Sequence, residues 1–226
     1  MTPVFVFRPE PGWTATAAAA RKLGLDVRGE PLFEVEPVAW EAPREPSFDA
    51  LLVGSANVFR HGGLALAALR NLPVYAVGDT TAEAAKEAGF AVTRTGQGGL
   101  QPLIDTLAGG DLSLLRLAGE EQVSLTVPPG IVIDMRVVYR TIARSLGHDS
   151  VLSLRGGGVA LVHSAAAAAK LEAQCKANGI DRSVTALVTI GPRVSQACSA
   201  GWQSIHTAPA PTDADMLALA ESLCQN

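Results

Sequence analysis

The sequence is poor in cysteine and in aromatic side chains. Its 226 residues include three cysteines, and aromatic residues make up 5% of the chain. Cys175, Cys198 and Cys224 all lie in the second half, and none of them has C-x-x-C spacing. This arrangement argues against a disulfide framework and against a zinc-binding cysteine cluster. It also excludes a duplicated α/β racemase, because that chemistry needs one reactive cysteine in each half.

Long apolar runs and an excess of positive charge are also absent. No stretch approaches the roughly 20 apolar residues that span a bilayer. The N-terminal MTPVFVFRPEPGW has no basic segment before a short apolar stretch, so we expect no signal peptide. The formal net charge of −4 gives no general attraction to nucleic acid or to an anionic membrane. The sequence predicts a cytoplasmic protein that binds neither.

Common nucleotide-binding and metal-binding patterns are missing as well. No GxGxxG follows the first apolar strand, and no GxxxxGK[ST] occurs in the chain. His61, His148, His163 and His206 have no metal-ligand spacing and no GxSxG elbow beside them. The pattern favours core or surface roles for these histidines and predicts no metal site.

The chain does contain a repeat with a period of about 110 residues. Residues 48–57 (FDALLVGSAN) resemble 157–166 (GGVALVHSAA), which places Ser55 and Ser164 109 residues apart. Residues 76–89 (AVGDTTAEAAKEAG) resemble 189–201 (TIGPRVSQACSAG) in the same way. Solenoid repeats have periods of roughly 20 to 50 residues, so this longer period indicates a duplicated domain. A cleft between two such domains is the expected ligand site.

Each copy alternates short apolar runs with alanine-rich amphipathic segments, a pattern typical of parallel strands joined by helices. The predicted strands are 50–53, 74–77, 91–94 and 112–117 in the first copy and 159–163, 186–190 and 204–207 in the second, followed by a helix at 213–224. The segments 4–8 (VFVFR) and 112–116 (LSLLR) resemble each other. Each ends in arginine and is expected to lead into a glycine-containing turn and a helical segment. We infer that the N-terminal strand completes the second copy.

The predicted fold class is therefore α/β, with two parallel-sheet domains of which the first is discontinuous. The first domain comprises residues 1–31 and 143–226, and the second comprises residues 41–130. The two crossings between them, residues 32–40 and 131–142, are β-rich and are predicted to pair as a two-stranded antiparallel ladder.

Small and polar residues follow several of the predicted strands. Ligands of parallel α/β sheets bind beyond the carboxyl ends of the strands, where helix N-termini offer free N–H groups. Ser55 and Ser164 lie at two such turns, and Gly78 and Gly191 begin two more. Each residue alone fits a simple helix cap, but four matched turns favour an anionic ligand, and a carboxylate more than a phosphate. Tyr139, in a predicted crossing, either directs its hydroxyl into the cleft or covers one face of the ladder.

These residues together resemble the uroporphyrinogen-III synthase family over nearly the whole chain. The motifs that carry the resemblance are Arg8-Pro9, Gly54-Ser55, the AVGDTTAEAAKEAGF stretch, Leu115-Arg116, Val138-Tyr139 and Ile190-Gly191-Pro192. Their order and spacing match the family. The resemblance implies two flavodoxin-like domains joined by a β-ladder.

The resemblance also implies an activity: cyclisation of hydroxymethylbilane to uroporphyrinogen III, with loss of water and inversion of ring D, without cofactor or metal. It places the family's tyrosine at Tyr139, as hydrogen-bond donor or acid for the leaving hydroxyl. The implied substrate-binding residues are Arg8, Ser55, Ala56, Thr80, Thr81, Arg116, Ser164, Ala165, Gly191, Pro192 and Arg193. At the last turn the chain departs from the family, because Arg193 and Val194 stand where relatives have a threonine pair. Arg193 is expected to compensate by pairing with a carboxylate.

Two alternatives stay open at this point. One is a non-catalytic two-domain protein that binds a small anion in the same cleft. The other is an inactive relative with a regulatory or scaffolding role. A monomer is expected, because no predicted helix is apolar on all sides.

Overall fold

A computed structural model describes residues 1–43 and 48–225. In this part of the chain there are eleven β-strands and eight α-helices. The strands are β1 (Val4–Val6), β2 (Val27–Arg28), β3 (Phe33–Pro37), β4 (Ala50–Val53), β5 (Val74–Val77), β6 (Val92–Gly96), β7 (Leu112–Gly119), β8 (Ile131–Ala143), β9 (Gly158–Val162), β10 (Thr185–Thr189) and β11 (Ser204–Thr207). The helices are α1 (Gly12–Lys22), α2 (Asn57–His61), α3 (Asp79–Glu87), α4 (Leu100–Asp105), α5 (His148–Arg155), α6 (Ala165–Ala177), α7 (Pro192–Ser195) and α8 (Asp213–Gln225). Two 3-10 helices span Leu64–Leu69 and Arg182–Val184.

The chain divides into two compact units. Unit 1 comprises Met1–Glu34 and Ile142–Asn226, and unit 2 comprises Val35–Thr141. Residues 44–47 of the predicted 41–130 domain, and residue 226 of the other domain, lie outside the described residues.

Unit 1 contains a five-stranded sheet in the order β11-β10-β9-β1-β2, and all its neighbouring strands are parallel. β1 pairs with β9 from Val4 opposite Val159 onward, so a strand from the start of the chain lies beside strands from its second half. Phe5 and Phe7 pack into one apolar cluster, and Val4 and Val6 pack into another. This alternation has the period of two residues expected of a strand that is covered on both faces.

Unit 2 contains a six-stranded sheet in the order β3-β8-β7-β4-β5-β6. The neighbours from β8 to β6 are parallel. All four residues of β4 are buried, with Leu51 and Val53 in one apolar cluster and Ala50 and Leu52 in another. The prediction of an α/β protein built on parallel sheets is confirmed, since both sheets carry buried apolar runs on their inner strands.

The prediction of a helix after the arginine that ends the 112–116 strand is wrong. Residues 120–130 contain no helix, although they connect two parallel neighbours, β7 and β8. Such a crossover usually contains a helix. This segment carries β-branched Val123, Thr126 and Val127, followed by Pro128 and Pro129. These residues are poor helix formers, and proline removes backbone donors.

The predicted antiparallel pairing of the two crossings is present, but the ladder is not limited to two strands. β3 and β8 are neighbours that run in opposite directions, as the hydrogen bonds from Val38 N to Val138 O (3.0 Å) and from Arg144 N to Leu32 O (2.8 Å) indicate. β8 also pairs along its length with β7, in parallel. The antiparallel pair is therefore the edge of the six-stranded sheet rather than a separate ribbon.

Cys175, Cys198 and Cys224 are free thiols, and Cys175 is buried. Among the described residues, no helix combines the length and the apolar character needed to cross a membrane.

Candidate active site

Unit 2 has a cavity of about 210 Å³ at the carboxyl ends of β4 and β7. Its lining includes Ser55, Arg116 and Tyr139, three residues that the sequence analysis selected from separate segments. Ser55 follows β4, Arg116 lies in β7, and Tyr139 lies in the neighbouring β8. The parallel order β8-β7-β4 places the three positions at one edge of the sheet, which is where ligands of such sheets bind.

Tyr139 lies against the backbone of Gly119. The two residues are partners across β7 and β8, at the point where the register of the two strands shifts by one residue. A Cβ atom on Gly119 would be 2.6 Å from Cε2 of the tyrosine ring and 3.0 Å from its hydroxyl oxygen. The ring is half-buried and packs on the apolar cluster that contains Leu115 and Val138. Within residues 1–43 and 48–225 its hydroxyl has no hydrogen-bond partner, so this donor is available to a ligand.

Arg116 is 7% exposed. Its Nη2 donates to the carbonyl oxygen of Val123 at 3.1 Å, and its buried Nε has no partner. No carboxylate of the described residues pairs with it. Burial lowers the pKa of Arg116 by desolvation, but a guanidinium stays charged at neutral pH. The cavity therefore contains a fixed positive charge.

The remaining predicted residues of unit 2 lie in the turns after β4 and β5. Ser55 Oγ accepts a hydrogen bond from Asn57 N at 3.2 Å, and Ala56 is buried at the start of α2. Thr80 and Thr81 are in the first turn of α3, where Thr80 is exposed and Thr81 is buried. Neither threonine lines the cavity.

In unit 1, Arg8 is held by an acidic residue from the far end of the chain. Its Nη1 donates to both carboxylate oxygens of Asp213 at 2.7 and 2.8 Å and to Thr16 Oγ1 at 3.2 Å. Thr16 Oγ1 also donates to Asp213 at 2.5 Å, and His163 Nε2 lies 3.1 Å from Asp213 Oδ1. Nδ1 of His163 is buried without a partner in the described residues. Sequence reasoning missed Asp213 and His163, because separations of 205 and 50 residues leave no local signal.

A strand-to-helix turn of unit 1 follows β9. Ser164 Oγ accepts a hydrogen bond from Ala167 N at 3.1 Å and caps α6, as the sequence analysis expected of a serine there. Ser164 and Ala165 are both exposed. Their place at the carboxyl end of β9 matches that of Ser55 and Ala56 after β4.

Another strand-to-helix turn of unit 1 is formed by Gly191 and the start of α7. Pro192 and Arg193 are exposed, and Arg193 has no polar or ionic partner in the described residues. Val194 is buried in the core. The hydroxyl at this turn comes from Ser195, whose Oγ lies 2.5 Å from Thr189 Oγ1 and 2.6 Å from Thr207 Oγ1. Sequence reasoning did not select Ser195, although a hydroxyl residue four positions after Gly191 was the available signal.

Asp213 gives unit 1 a testable dependence on acid. The hydrogen bond from His163, then that from Thr16 and the charge of Arg8, hold the pKa of Asp213 at about 2, although burial acts in the opposite direction. A carboxylate with a lowered pKa stabilises the fold above its ordinary value near 3.8, and this stabilisation disappears as the pH falls to about 2. Between these pH values we expect the free energy of unfolding of wild type to fall by about 1 to 2 kcal/mol more than that of Asp213→Asn, allowing for the partial exposure of the carboxylate.

Urea unfolding of both proteins between pH 6 and pH 2 measures this difference. Asp215→Asn, two positions further along α8, is the matched control and is expected to follow wild type. Equal losses of unfolding free energy in wild type and Asp213→Asn would contradict the assignment of this acid dependence to Asp213.

A larger cavity, of about 710 Å³, lies in unit 1 at the end of the sheet opposite to these turns. It is lined by Met1, Gly157 and Gln203 among others, at the amino ends of the strands. That edge contains none of the predicted site residues and is the edge that ligands of parallel sheets do not use. No cluster of three or more His, Cys, Asp or Glu able to hold a metal occurs among the described residues.

Comparisons with known proteins bear on the whole chain. The model of the family HEM4, described as uroporphyrinogen-III synthase HemD, matches residues 14–218. The crystal structure of uroporphyrinogen-III synthetase from Helicobacter pylori 26695 has a TM-score of 0.66 and 19% identity, over 99% of this chain and 100% of that one. A mutant uroporphyrinogen III synthase from the extremely thermophilic bacterium Thermus thermophilus has a TM-score of 0.56 and 17% identity, over 100% of both chains.

At these identities the two structures establish a shared fold. No curated protein matches the chain. The family model, in contrast, covers most of the chain and identifies a family of cyclising lyases in porphyrin biosynthesis. The chain belongs to the uroporphyrinogen-III synthase family.

Proposed function

We propose that this chain closes hydroxymethylbilane into uroporphyrinogen III, with loss of water and inversion of ring D, and that Tyr139 assists the loss of water. The family match supports the reaction. The observation that carries the site assignment is the unit 2 cavity, which combines the unpartnered hydroxyl of Tyr139 with the guanidinium of Arg116. The hydroxyl of Tyr139 can give a proton to a leaving hydroxyl, and the guanidinium of Arg116 can hold an anionic substrate.

The proposed reaction begins at the hydroxymethyl group on ring A of the bilane. Tyr139 donates a proton to the departing hydroxyl, and the ring nitrogen supplies the electron pair that forms the azafulvene. The substituted carbon of ring D attacks this azafulvene and forms a spiro intermediate. The bond from the spiro carbon to the methylene bridge of ring C then breaks, which leaves an azafulvene-type centre on ring C. This centre is attacked by the free α carbon of ring D, which closes the macrocycle. The proton lost from that carbon balances the proton that Tyr139 donated.

Control of ring D is mainly a matter of orientation, because simple closure of the bilane gives the symmetric type I isomer. The substrate carries eight carboxylates, whereas the chain has a formal net charge of −4. Local groups must therefore hold the substrate. We assign this role to Arg116, to the unpartnered Arg193 and to the turns that begin at Ser55, Ser164 and Gly191.

The other predicted contacts have narrower roles. Ala56, Ala165 and Pro192 belong to the three turns named above, and Thr80 and Thr81 belong to the turn after β5; we assign to them backbone or hydroxyl contacts with the substrate. Arg8 directs Nη1 to Asp213, so we assign its substrate contact to Nε and Nη2, which make no hydrogen bond within the described residues.

Incubation with freshly generated hydroxymethylbilane, without added metal or cofactor, tests this function. The oxidised products are separated into type I and type III porphyrin isomers. The type III isomer is expected to dominate. Type I alone, formed at the spontaneous rate, would overturn the assignment.

The alternative of a non-catalytic small-anion-binding protein has no support in the comparisons. It predicts thermal stabilisation by a simple anionic metabolite and no stabilisation by polycarboxylate porphyrinogens. The same assay rejects the inactive relative, because only an active enzyme yields the type III isomer. Action as a monomer in the cytoplasm stays a prediction.

A further inference from the structure

The cavity beside Tyr139 is too small for a whole tetrapyrrole. Its volume is about 210 Å³, below the roughly 300 Å³ at which pockets begin to hold drug-sized ligands. It therefore suits one arm of the substrate, together with part of the ring that carries it. The question is which of the eight carboxylated arms enters.

The charge within the cavity requires an anion. Arginine is rarely buried without a partner, because an uncompensated buried charge is costly. Arg116 is 7% exposed, its Nε is buried without a hydrogen bond, and its one acceptor in the described residues is the neutral carbonyl of Val123. Glu121 also lines the cavity, but its side chain is exposed and forms no ion pair with Arg116. A carboxylate from the substrate would supply the missing partner.

The guanidinium is also held in place before any ligand binds. The helix-free connection at 120–130 is fastened to α4 by two hydrogen bonds of 2.8 Å, from Gln101 Nε2 to Thr126 O and from Thr126 N to Gln101 Oε1. This anchoring fixes the segment that carries Val123, whose carbonyl oxygen accepts from Arg116. A preorganised donor loses less entropy when it binds its ligand.

The position of Tyr139 selects the ring. In hydroxymethylbilane each pyrrole carries one acetate and one propionate, and the hydroxymethyl group is on the carbon next to the acetate-bearing carbon of ring A. Tyr139 and Arg116 line the same small cavity. A hydroxymethyl group placed at the phenol therefore brings the ring A acetate into this cavity before any other carboxylate.

We propose that Arg116 binds the ring A acetate and thereby places the hydroxymethyl carbon at Tyr139. This inference rests on the proposed function. It makes Arg116 a specificity-determining residue that recognises one of eight chemically similar groups.

The first experiment uses the wild-type protein and two bilane analogues. One analogue has a methyl group in place of the ring A acetate, and the other has a methyl group in place of the ring C acetate. Loss of a charge-assisted hydrogen bond is expected to lower kcat/KM for the ring A analogue about 10- to 30-fold more than for the ring C analogue. Equal losses for both analogues would overturn the inference while leaving the proposed function intact.

The second experiment separates ligand recognition from the tether to Val123. Arg116→Met is expected to lower kcat/KM for the natural bilane by a similar factor and to lose the discrimination between the two analogues. A purely structural role would lower the rates of all three substrates equally and keep the discrimination, and that result would overturn the inference.

Arg94→Met is the matched control. Its side chain lies over the ring of Tyr75, outside the cavity, so this variant is expected to discriminate as wild type does. Circular dichroism and thermal unfolding check the fold of each variant. Should Arg116→Met fail to fold, Arg116→Lys replaces it, with partial discrimination expected, and the wild-type comparison decides independently. Failure of wild type to make the type III isomer would count against the proposed function instead.

Discussion

Tyr139→Phe is expected to lower the rate of type III isomer formation by about 10²- to 10⁴-fold, the range that a positioned acid contributes. The variant keeps the ring that packs against Gly119 and the apolar cluster of unit 2. It removes only the hydroxyl, which has no partner within the described residues. The melting temperature is therefore expected to stay close to that of wild type.

Tyr75→Phe is the matched control, since the chain has two tyrosines and both lie on strands of unit 2. Tyr75 does not line the cavity, and its ring lies under Arg94. This variant is expected to retain wild-type activity. A fully active Tyr139→Phe protein would remove Tyr139 from the mechanism.

The isomer ratio of the residual product gives a second measurement. If Tyr139 acts only in the loss of water, the small amount of product that Tyr139→Phe forms enzymatically is still the type III isomer. A shift to type I, beyond the spontaneous background, would show that the phenol also orients the chain ends. Single-turnover kinetics with isomer separation distinguish the two outcomes.

The strands were the most predictable part of the fold. Inner strands of parallel sheets are buried on both faces, so they are short continuous apolar runs that stand out from their surroundings. Of these inner strands, β4 and β5 have the predicted bounds, and β9 and β10 differ from theirs by one residue at each end. The edge strand β11 also has the predicted bounds. The positions of the candidate turns followed directly, because a turn is located once its strand is known.

Connections were less predictable, because the local pattern does not report neighbours in space. The likeness of 112–116 to 4–8 suggested the same following helix, yet Pro128, Pro129 and the β-branched residues before them prevent one. The antiparallel pairing of β3 and β8 was predictable from their β-rich composition. The additional pairing of β8 with β7 was not, since only tertiary packing decides which edge of a strand is covered.

The side-chain contacts in the site were the least predictable from the sequence. Arg8 was predicted to meet substrate, and the structure pairs it with Asp213 from the last helix. The burial of Arg116 depends on Val123 and on the anchoring by Gln101. Such long-range contacts have no periodicity that a single sequence displays.

Gly119→Ala is the second change with a large expected effect, about 100-fold on the rate, because a catalytic group displaced by about 1 Å loses that much. A methyl group at Gly119 would be 2.6 Å from Cε2 and 2.7 Å from Cζ of Tyr139, so the ring must move. Overpacking of this kind costs about 1 to 3 kcal/mol of stability. Urea unfolding and the isomer assay measure the two effects separately.

A double variant tests whether Gly119 acts through Tyr139. If the alanine works by displacing the phenol, Gly119→Ala added to Tyr139→Phe lowers the rate little further, because the hydroxyl has already gone. Gly156→Ala is the matched control: its Cβ would meet only Ser153 O, at an ordinary 3.4 Å, and activity is expected to remain at the wild-type level. Fully multiplicative losses in the double variant would mean that Gly119 affects the reaction by a route independent of Tyr139, and the close approach of backbone to ring would then be a feature of packing alone.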